Sequence, residues 1–410
     1  MRAKLLIFST LFFILNCSPK EAFLDPIYEN ALENVLTLEL SFGSDEENIK
    51  DEFLLANPVG LSVTKSGDII VSDEYKMKVF DGNGKEKTIF GRQGQGPGEF
   101  RFFPYPPNIS NTGYLTITEF RGRFLLVAFT EYNLFSPEFN FIEKKNIRND
   151  TILNQFANEK DINNPNLSKI IFLNEREKVY SAHSGYRSGK NEDKELRNEY
   201  LIYQNSDTLV ALAEYSTHPV LYDENLGGMY MDKPFAGRFL WAELPNRQVV
   251  FTHTEQDVST ENGNYKYKLY VASLDNFETE TITQKYFPVV IPDSLKNNQL
   301  RWSNNREMEE RARNINRRIR EIDKNTTYYC PIYDIKTDGT YIFVFTYKTD
   351  DQGHRLVKVL DASTKQGVST AYFPFIPAAI KNEYAYRISR DAEGFAIVEK
   401  YKIAPAVYGK

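Results

Sequence analysis

From Asn57 onward the chain alternates short apolar or β-branched runs with turns of Ser, Gly, Asp or Asn. The clearest unit opens with a strand over Gly60–Val63, turns at Ser66-Gly67-Asp68, and continues with strands over Ile69–Ser72 and Met77–Phe80. A tight turn at Asp81-Gly82-Asn83-Gly84 leads to a fourth strand, Lys87–Phe90. Turn residues of this kind supply positive φ angles or local side-chain hydrogen bonds, so they punctuate strands by a physical mechanism. Four strands in about 40 residues is the size of one propeller blade.

Weaker copies of the second and third strands follow. They are Tyr114–Thr118 with Tyr132–Phe135, Lys178–Ser181 with Tyr200–Tyr203, and Val249–Thr252 with Lys268–Val271. Tyr341–Phe345 with Leu356–Leu360 is a fifth pair, and Tyr384–Ile388 with Ala396–Val398 and Tyr401–Ile403 closes the series. Six units predict an all-β chain, a six-bladed β-propeller of four-stranded antiparallel blades, because one unit cannot bury its sheet faces alone. Val35–Leu40 precedes the first unit and is expected to complete the last blade, removing an open edge. Its alternation places Leu36, Leu38 and Leu40 on one inward face. One helical insert is expected at about 293–323: Asp293 and Ser294 offer a cap, and Met308, Ala312, Ile315, Ile319 and Ile322 form one apolar stripe.

The first residues follow a different rule. In MRAKLLIFSTLFFILNC, Arg2 and Lys4 precede an apolar run from Leu5 to Leu15 broken only by Ser9 and Thr10. That run is short for a membrane span and fits the h-region of a secretory signal. Ile14-Leu15-Asn16-Cys17 resembles a bacterial lipobox, with Asn16 where Gly, Ala or Ser is usual. The resemblance implies a signal peptide over 1–16, lipidation of Cys17 with acyl chains such as palmitate, and a tether over 17–34 leading into a propeller domain over 35–410. The other reading is an ordinary cleaved signal with a chance cysteine. Acyl chains would anchor the protein, since each buried methylene contributes roughly 0.8 kcal/mol. Ser18 after the cysteine, by resemblance to envelope sorting rules, favours an outer membrane. Cys330 is then left as a buried apolar residue.

Composition narrows the function. Acidic residues number 56 against 50 basic ones, a net charge of −6, which excludes a general nucleic-acid binder. Aromatic residues reach 14%, which favours half-buried pleated surfaces. Two cysteines make no disulfide scaffold. The histidines, His183, His218, His253 and His354, lie in different units without metal-ligand spacing, and no Gly-x-Ser-x-Gly elbow occurs.

Asn57–Phe100 looks like an NHL repeat, and Phe90–Phe100 is similar to its glycine-rich linker. The whole mature chain resembles an NHL-like family of bacterial six-bladed propeller lipoproteins with a helical insert before the fifth blade. The resemblance implies fold and compartment; related propellers bind, scaffold, hydrolyse or act as lyases, so chemistry is not inherited. The glycine run lacks a Gly-Lys-Ser/Thr ending and a following helix, so it reads as a crossing between blades with Phe100 packed between them, not as a phosphate cradle. On the insert, Arg301, Arg306, Arg311, Arg313, Arg317, Arg318 and Arg320 form either a patch for anionic headgroups or a solvated face neutralised by neighbouring glutamates.

In a four-stranded meander the turn after the second strand and the inter-blade crossing share one end. That face gathers Asp73, Tyr75, Arg92, Glu119, Arg121 and Arg123 as ligand-binding candidates, with the long inserts Ser184–Asn198 and Glu255–Tyr265 carrying Tyr186 and Tyr265. The expected function is a non-enzymatic binding or scaffold role of a membrane-anchored, exported propeller. Its partners are the membrane and an envelope protein, a peptide or a glycan; no cofactor and no nucleic acid are called for. The alternative is a calcium-dependent hydrolase or lyase in the central channel, drawing on acids such as Asp73, Glu119 and Asp338. Those acids also read, more plainly, as solvent-facing turn residues.

Overall fold

The computed structural model describes residues 30–44, 49–119, 131–146, 149–160, 165–184, 193–224, 228–261, 263–296 and 306–410. Within them six antiparallel blade sheets succeed one another along the chain, beside one two-stranded sheet. Blade 1 comprises Pro58–Val63, Ile69–Asp73, Lys76–Phe80 and Glu86–Phe90, within a residue or two of the strands expected from the sequence. Its turns use the chemistry read there: Gly84 has φ 78°, and Asp81 accepts from the Asn83 and Lys85 amides at 2.8 and 2.9 Å. Asp391 in blade 6 repeats that turn, accepting from Glu393 and Phe395.

Blade 2 begins with a two-residue strand, Asn108–Ile109, and continues with Leu115–Thr118, Glu131–Phe135 and Phe141–Asn146. Blade 3 runs through Asn166–Phe172, Lys178–His183, Arg197–Gln204 and Leu209–Thr217. Blade 4 consists of Phe239–Leu244, Gln248–His253, Asn264–Ser273 and Thr279–Lys285. The insert Glu255–Tyr265, expected as a polar loop, contains a further strand, Val258–Glu261, which folds back on the start of Asn264–Ser273. Blade 5 holds Asp334–Asp338, Tyr341–Thr349, Arg355–Asp361 and Gln366–Phe373. Blade 6 holds Ala379–Lys381, Tyr384–Arg390 and Ala396–Ile403, a single strand where the sequence shows two apolar pieces.

The fourth strand of blade 6 is Leu36–Phe42, antiparallel to Ala396–Ile403, so the ring closes as expected. Its side chains do not alternate as expected. A bulge between Leu38 and Leu40 leaves Glu39 as the extra residue. Leu36 therefore packs in the wedge between blades 5 and 6, Leu40 and Phe42 pack between blades 6 and 1, and Leu38 is 49% exposed. Leu32, inside the stretch read as tether, bridges the outer strand of blade 5: its amide donates to the Thr370 carbonyl and its carbonyl accepts from Tyr372, both at 2.8 Å.

The core is six apolar wedges, one at each blade interface. Between blades 1 and 2, Ile70, Met77 and Val79 meet Leu115, Ile117 and Phe135 around Phe100. Phe100 thus takes the place expected of it, and Gly91, at φ 76°, is required there, since a Cβ would lie 2.2 Å from the Phe100 ring. Between blades 2 and 3 an unexpected helix, Thr151–Glu159, capped by Asp150 at 3.0 Å, adds Leu153 and Ala157. Between blades 5 and 6, Phe343, Phe345 and Phe373 pack on Ile403 and on Tyr408 of the C-terminal turn.

The insert divides into a short helix, Asp293–Lys296, and a long one, Arg306–Asn325. Ile315 and Ile319 of the long helix are buried against Leu221, which belongs to a hairpin, Val220–Asp223 with Met229–Asp232, that the sequence did not announce. Arg318 bonds to Glu195 at 2.7 Å and to the Tyr222 carbonyl at 3.1 Å, and Arg313 pairs with Glu310. Among the described residues no helix is long and apolar enough to cross a membrane. Cys330 is half-buried, not fully buried, with its thiol pushed up by burial. Residues 1–29, including Cys17, lie outside the described residues.

Candidate functional site: the axial cavity

The innermost strands of all six blades stand around one axis and line a cavity of about 260 Å³. Near its end each strand contributes a polar or charged residue beside apolar ones. Ser62 comes from blade 1, Asn111 from the first turn of blade 2, Lys169 from blade 3, Glu243 from blade 4, Lys336 from blade 5 and Lys381 from blade 6. The apolar neighbours, among them Val63, Ile171, Ile335 and Ile380, hold the strands to adjacent blades, which fixes the backbone from which the polar side chains project.

Hydrogen bonds set these groups. The Asn111 amide donates to Glu243 Oε2 at 2.8 Å, and Lys381 Nζ donates to Asn111 Oδ1 at 3.2 Å, so one asparagine joins the carboxylate to the ammonium. Lys169 Nζ donates to the Trp241 carbonyl at 2.9 Å and stands 4.5 Å from the centre of the Trp241 ring. Lys336 pairs with Asp334 at 3.1 Å. Ser62 is committed to the Pro107 carbonyl at 2.6 Å, and Thr337 to the Glu243 carbonyl at 3.0 Å.

Burial pushes the Glu243 carboxyl up to about 7, against the Asn111 amide and the nearby Lys381 and Lys169. Burial, reinforced by neighbouring Lys336, brings the Lys169 ammonium down to about 8, while Asp334 and Glu243 pull the other way. Lys381 is lowered by burial, opposed by Asp338 and Glu243. Three cations against one lining carboxylate make the cavity electropositive in a protein of net charge −6.

The residues singled out from the sequence lie elsewhere. Asp73 is fully buried and accepts from the Ala56 and Asn57 amides at 3.0 and 2.6 Å and from Lys78 at 2.7 Å, while Lys78 also bonds the Leu54 carbonyl. Glu119 is buried, accepting from the Phe102 amide at 2.9 Å and pairing with Lys144 at 3.1 Å. Asp338 is buried, accepting from the Asn382 and Glu383 amides and the Tyr408 hydroxyl. None of the three is the solvent-facing turn acid the sequence implied. Each holds backbone amides or a terminal segment in place, because a buried amide without a partner would cost on the order of 1–3 kcal/mol. Tyr75 stacks on Phe103 with ring centres 4.5 Å apart. Arg92 pairs with Glu99 at 2.7 Å, and Glu99 also accepts from the Gly96 amide at 2.8 Å, so the glycine-rich crossing closes on its own carboxylate. Arg121, Arg123 and Tyr186 lie outside the described residues, and Tyr265 packs edge-on against Tyr286.

The histidines are scattered as expected, with one juxtaposition across blades: Glu199, opposite His183 in its own sheet, is 3.6 Å from His253 of blade 4. Burial, aided by Arg197, brings His183 down to about 3. Among the described residues no three His, Cys, Asp or Glu side chains converge as metal ligands. The axial cavity offers one carboxylate and two side-chain amides, Asn108 and Asn111, against three ammonium groups, a donor set of the wrong sign for a calcium ion.

No protein-family model matches the chain. No curated protein matches it. Among solved structures, it is similar to a Bacteroides fragilis protein described as exported, at 12% identity over 91% of this chain and 99% of that one, with a TM-score of 0.43. It is also similar to the WD40 domain of Pan2 from Neurospora crassa, at 8% identity over 90% and 97% of the two chains, with a TM-score of 0.36.

Proposed function

We propose that this chain is an exported, NHL-like propeller lipoprotein, held on the outer membrane through Cys17, whose role is to bind and not to catalyse. The observation that carries the binding role is the axial cavity: side chains from blades 2 to 6, each held by a hydrogen bond or ion pair, present charge without a nucleophile paired to a base. The lipidated anchor rests on the Met1–Cys17 pattern. Leu32 and Leu36–Phe42 bind the rim of blades 5 and 6, so a tether would leave the propeller at its edge. The segment 18–29 reaches at most about 40 Å when fully extended, which keeps the propeller close to the bilayer with the axis open to solvent.

Replacing Cys17 with Ser tests the anchor. The expected outcome is unprocessed precursor or release from the membrane fraction, read by fractionation and intact mass. Unchanged membrane partition with a mature chain of full acylated mass would reject it. The loop-rich face with Tyr75 and Arg92 remains a second surface for an envelope protein, peptide or glycan, tested by affinity purification from envelope membranes with and without the inserts 184–198 and 255–265.

A further inference from the structure

We infer that the axial cavity is a binding site for a small, multiply charged organic anion, a di- or tricarboxylate or a phosphomonoester, gripped by Lys169, Lys336 and Lys381. The inference rests on the binding role proposed above and names its ligand class.

The argument begins with cost. Ammonium groups lose hydration when enclosed, and like charges brought together oppose one another. Lys169, Lys336 and Lys381 come from three different blades, so no single strand forces them together; the ring does. Lys169 is both desolvated and close enough to Lys336 to be destabilised by it. The fold offsets only part of this charge. Lys336 has Asp334, and Glu243 faces Lys169 and Lys381, but Glu243 is itself held near neutrality by burial. An ammonium donates three hydrogen bonds; Lys169 spends one on the Trp241 carbonyl and Lys381 one on Asn111, so donors remain for a ligand in the cavity. An anion seated among the three restores the balance that the protein lacks.

Size restricts the class. At about 260 Å³ the space lies just below the ~300–1,000 Å³ usual for ligand pockets, which admits a metabolite-sized acid and excludes a polymer segment. Lysines are point charges with rotatable donors, so carboxylate and phosphate oxygens both satisfy them.

Glu243 makes the site proton-linked. The groups facing it are the Asn111 amide from blade 2, Lys169 from blade 3 and Lys381 from blade 6, with Lys336 and Asp334 of blade 5 beyond Lys169. Below about pH 7 Glu243 is neutral and the cavity carries its full positive charge. As pH rises Glu243 ionises and then Lys169 loses its proton, so both changes weaken an anion's hold.

Isothermal titration of the purified full chain in detergent tests this, with citrate and glucose 6-phosphate as probes and glucose as the neutral control. At about pH 6 we expect at least one anion to bind with a Kd below about 1 mM, and affinity to fall about tenfold by about pH 8.5. The double substitution Lys169→Met with Lys381→Met should abolish binding while the melting temperature holds or rises. Glu243→Gln should bind as tightly at about pH 7.5 as the parent does at about pH 6. The citrate and sugar-phosphate arms separate the two sources of charge. Equal binding by the double variant, or no binding of either anion by the folded parent, would overturn the inference. Glucose or a neutral glycan bound without any anion response would also overturn it, yet would leave the binding role standing.

Discussion

The wedges between the blades and the axis they enclose share the same innermost strands and have opposite chemistry. In the wedge between blades 5 and 6, Phe343, Phe345, Val357, Ala371 and Phe373 are all fully buried and apolar. On the axial side of the same two blades, Lys336 and Lys381 line a charged cavity. The wedges bury apolar surface worth roughly 25 cal/mol per Å², whereas the axis carries groups that burial penalises. Cohesion in this ring therefore comes from between the blades, and the centre is left for a ligand to complete.

The contrast can be broken hardest at the closing strand. Deleting residues through Leu40 removes most of the fourth strand of blade 6 and opens an apolar edge on Ala396–Ile403. Cooperative melting should be lost and the protein should aggregate, whereas deleting only Ser18–Pro26 should leave the melting temperature of the soluble domain unchanged. If both truncations melt like the parent, the strand does not hold the ring. Next in size, Phe343→Ala in a fully buried wedge position should cost about 3–5 kcal/mol in denaturant unfolding. A cost under about 1 kcal/mol would show that the wedges are not the source of stability.

The smallest effect belongs to the axis. Glu243 takes up its proton near 7 when folded and near 4.5 when exposed, so the folded chain holds the extra proton between those values. Its contribution to stability is fully present below about 4.5 and is lost as pH rises through about 7. Glu243→Gln should therefore match the parent at about pH 5 and melt a few degrees higher at about pH 8. A variant less stable than the parent at the higher pH would mean that the ionised carboxylate is a structural tie of the axis.

Much of the ring was legible because its second and third strands are continuous apolar runs bounded by turn residues, as in Ile69–Asp73 and Tyr341–Thr349. The innermost strands beyond Pro58–Val63 of blade 1 were not. Asn108–Ile109 is too short to show a period, and Asp334–Asp338 carries charge on both ends. Their polar residues become a site only when the blades are superposed by position, where Ser62, Lys169, Glu243, Lys336 and Lys381 fall on equivalent innermost strands. Asp73 and Glu119 were visible as turn acids, but their burial depends on amides of the preceding crossing, which no local pattern encodes. The bulge at Glu39 moved Leu40 off the face it was expected to share with Leu36 and Leu38 for a related reason: an extra residue shifts the alternation by one and leaves no mark in composition. The hairpin at Val220–Asp223 stayed hidden because its apolar partner, the Ile315–Ile319 stripe, lies far along the chain.

The pairing of Leu36 with Ile403 also bears on the order of events during folding. The strand that seals the ring precedes blade 1 in the sequence, and its partner belongs to blade 6. Until that partner has emerged, the sixth sheet lacks its third strand and the first strand has nothing to pair with. Bringing such distant segments together is slow, because the closure entropy of the intervening chain must be met before any contact repays it. The topology therefore holds the ring open until its last blade is complete, and the wedge between blades 6 and 1 is the last that can be sealed.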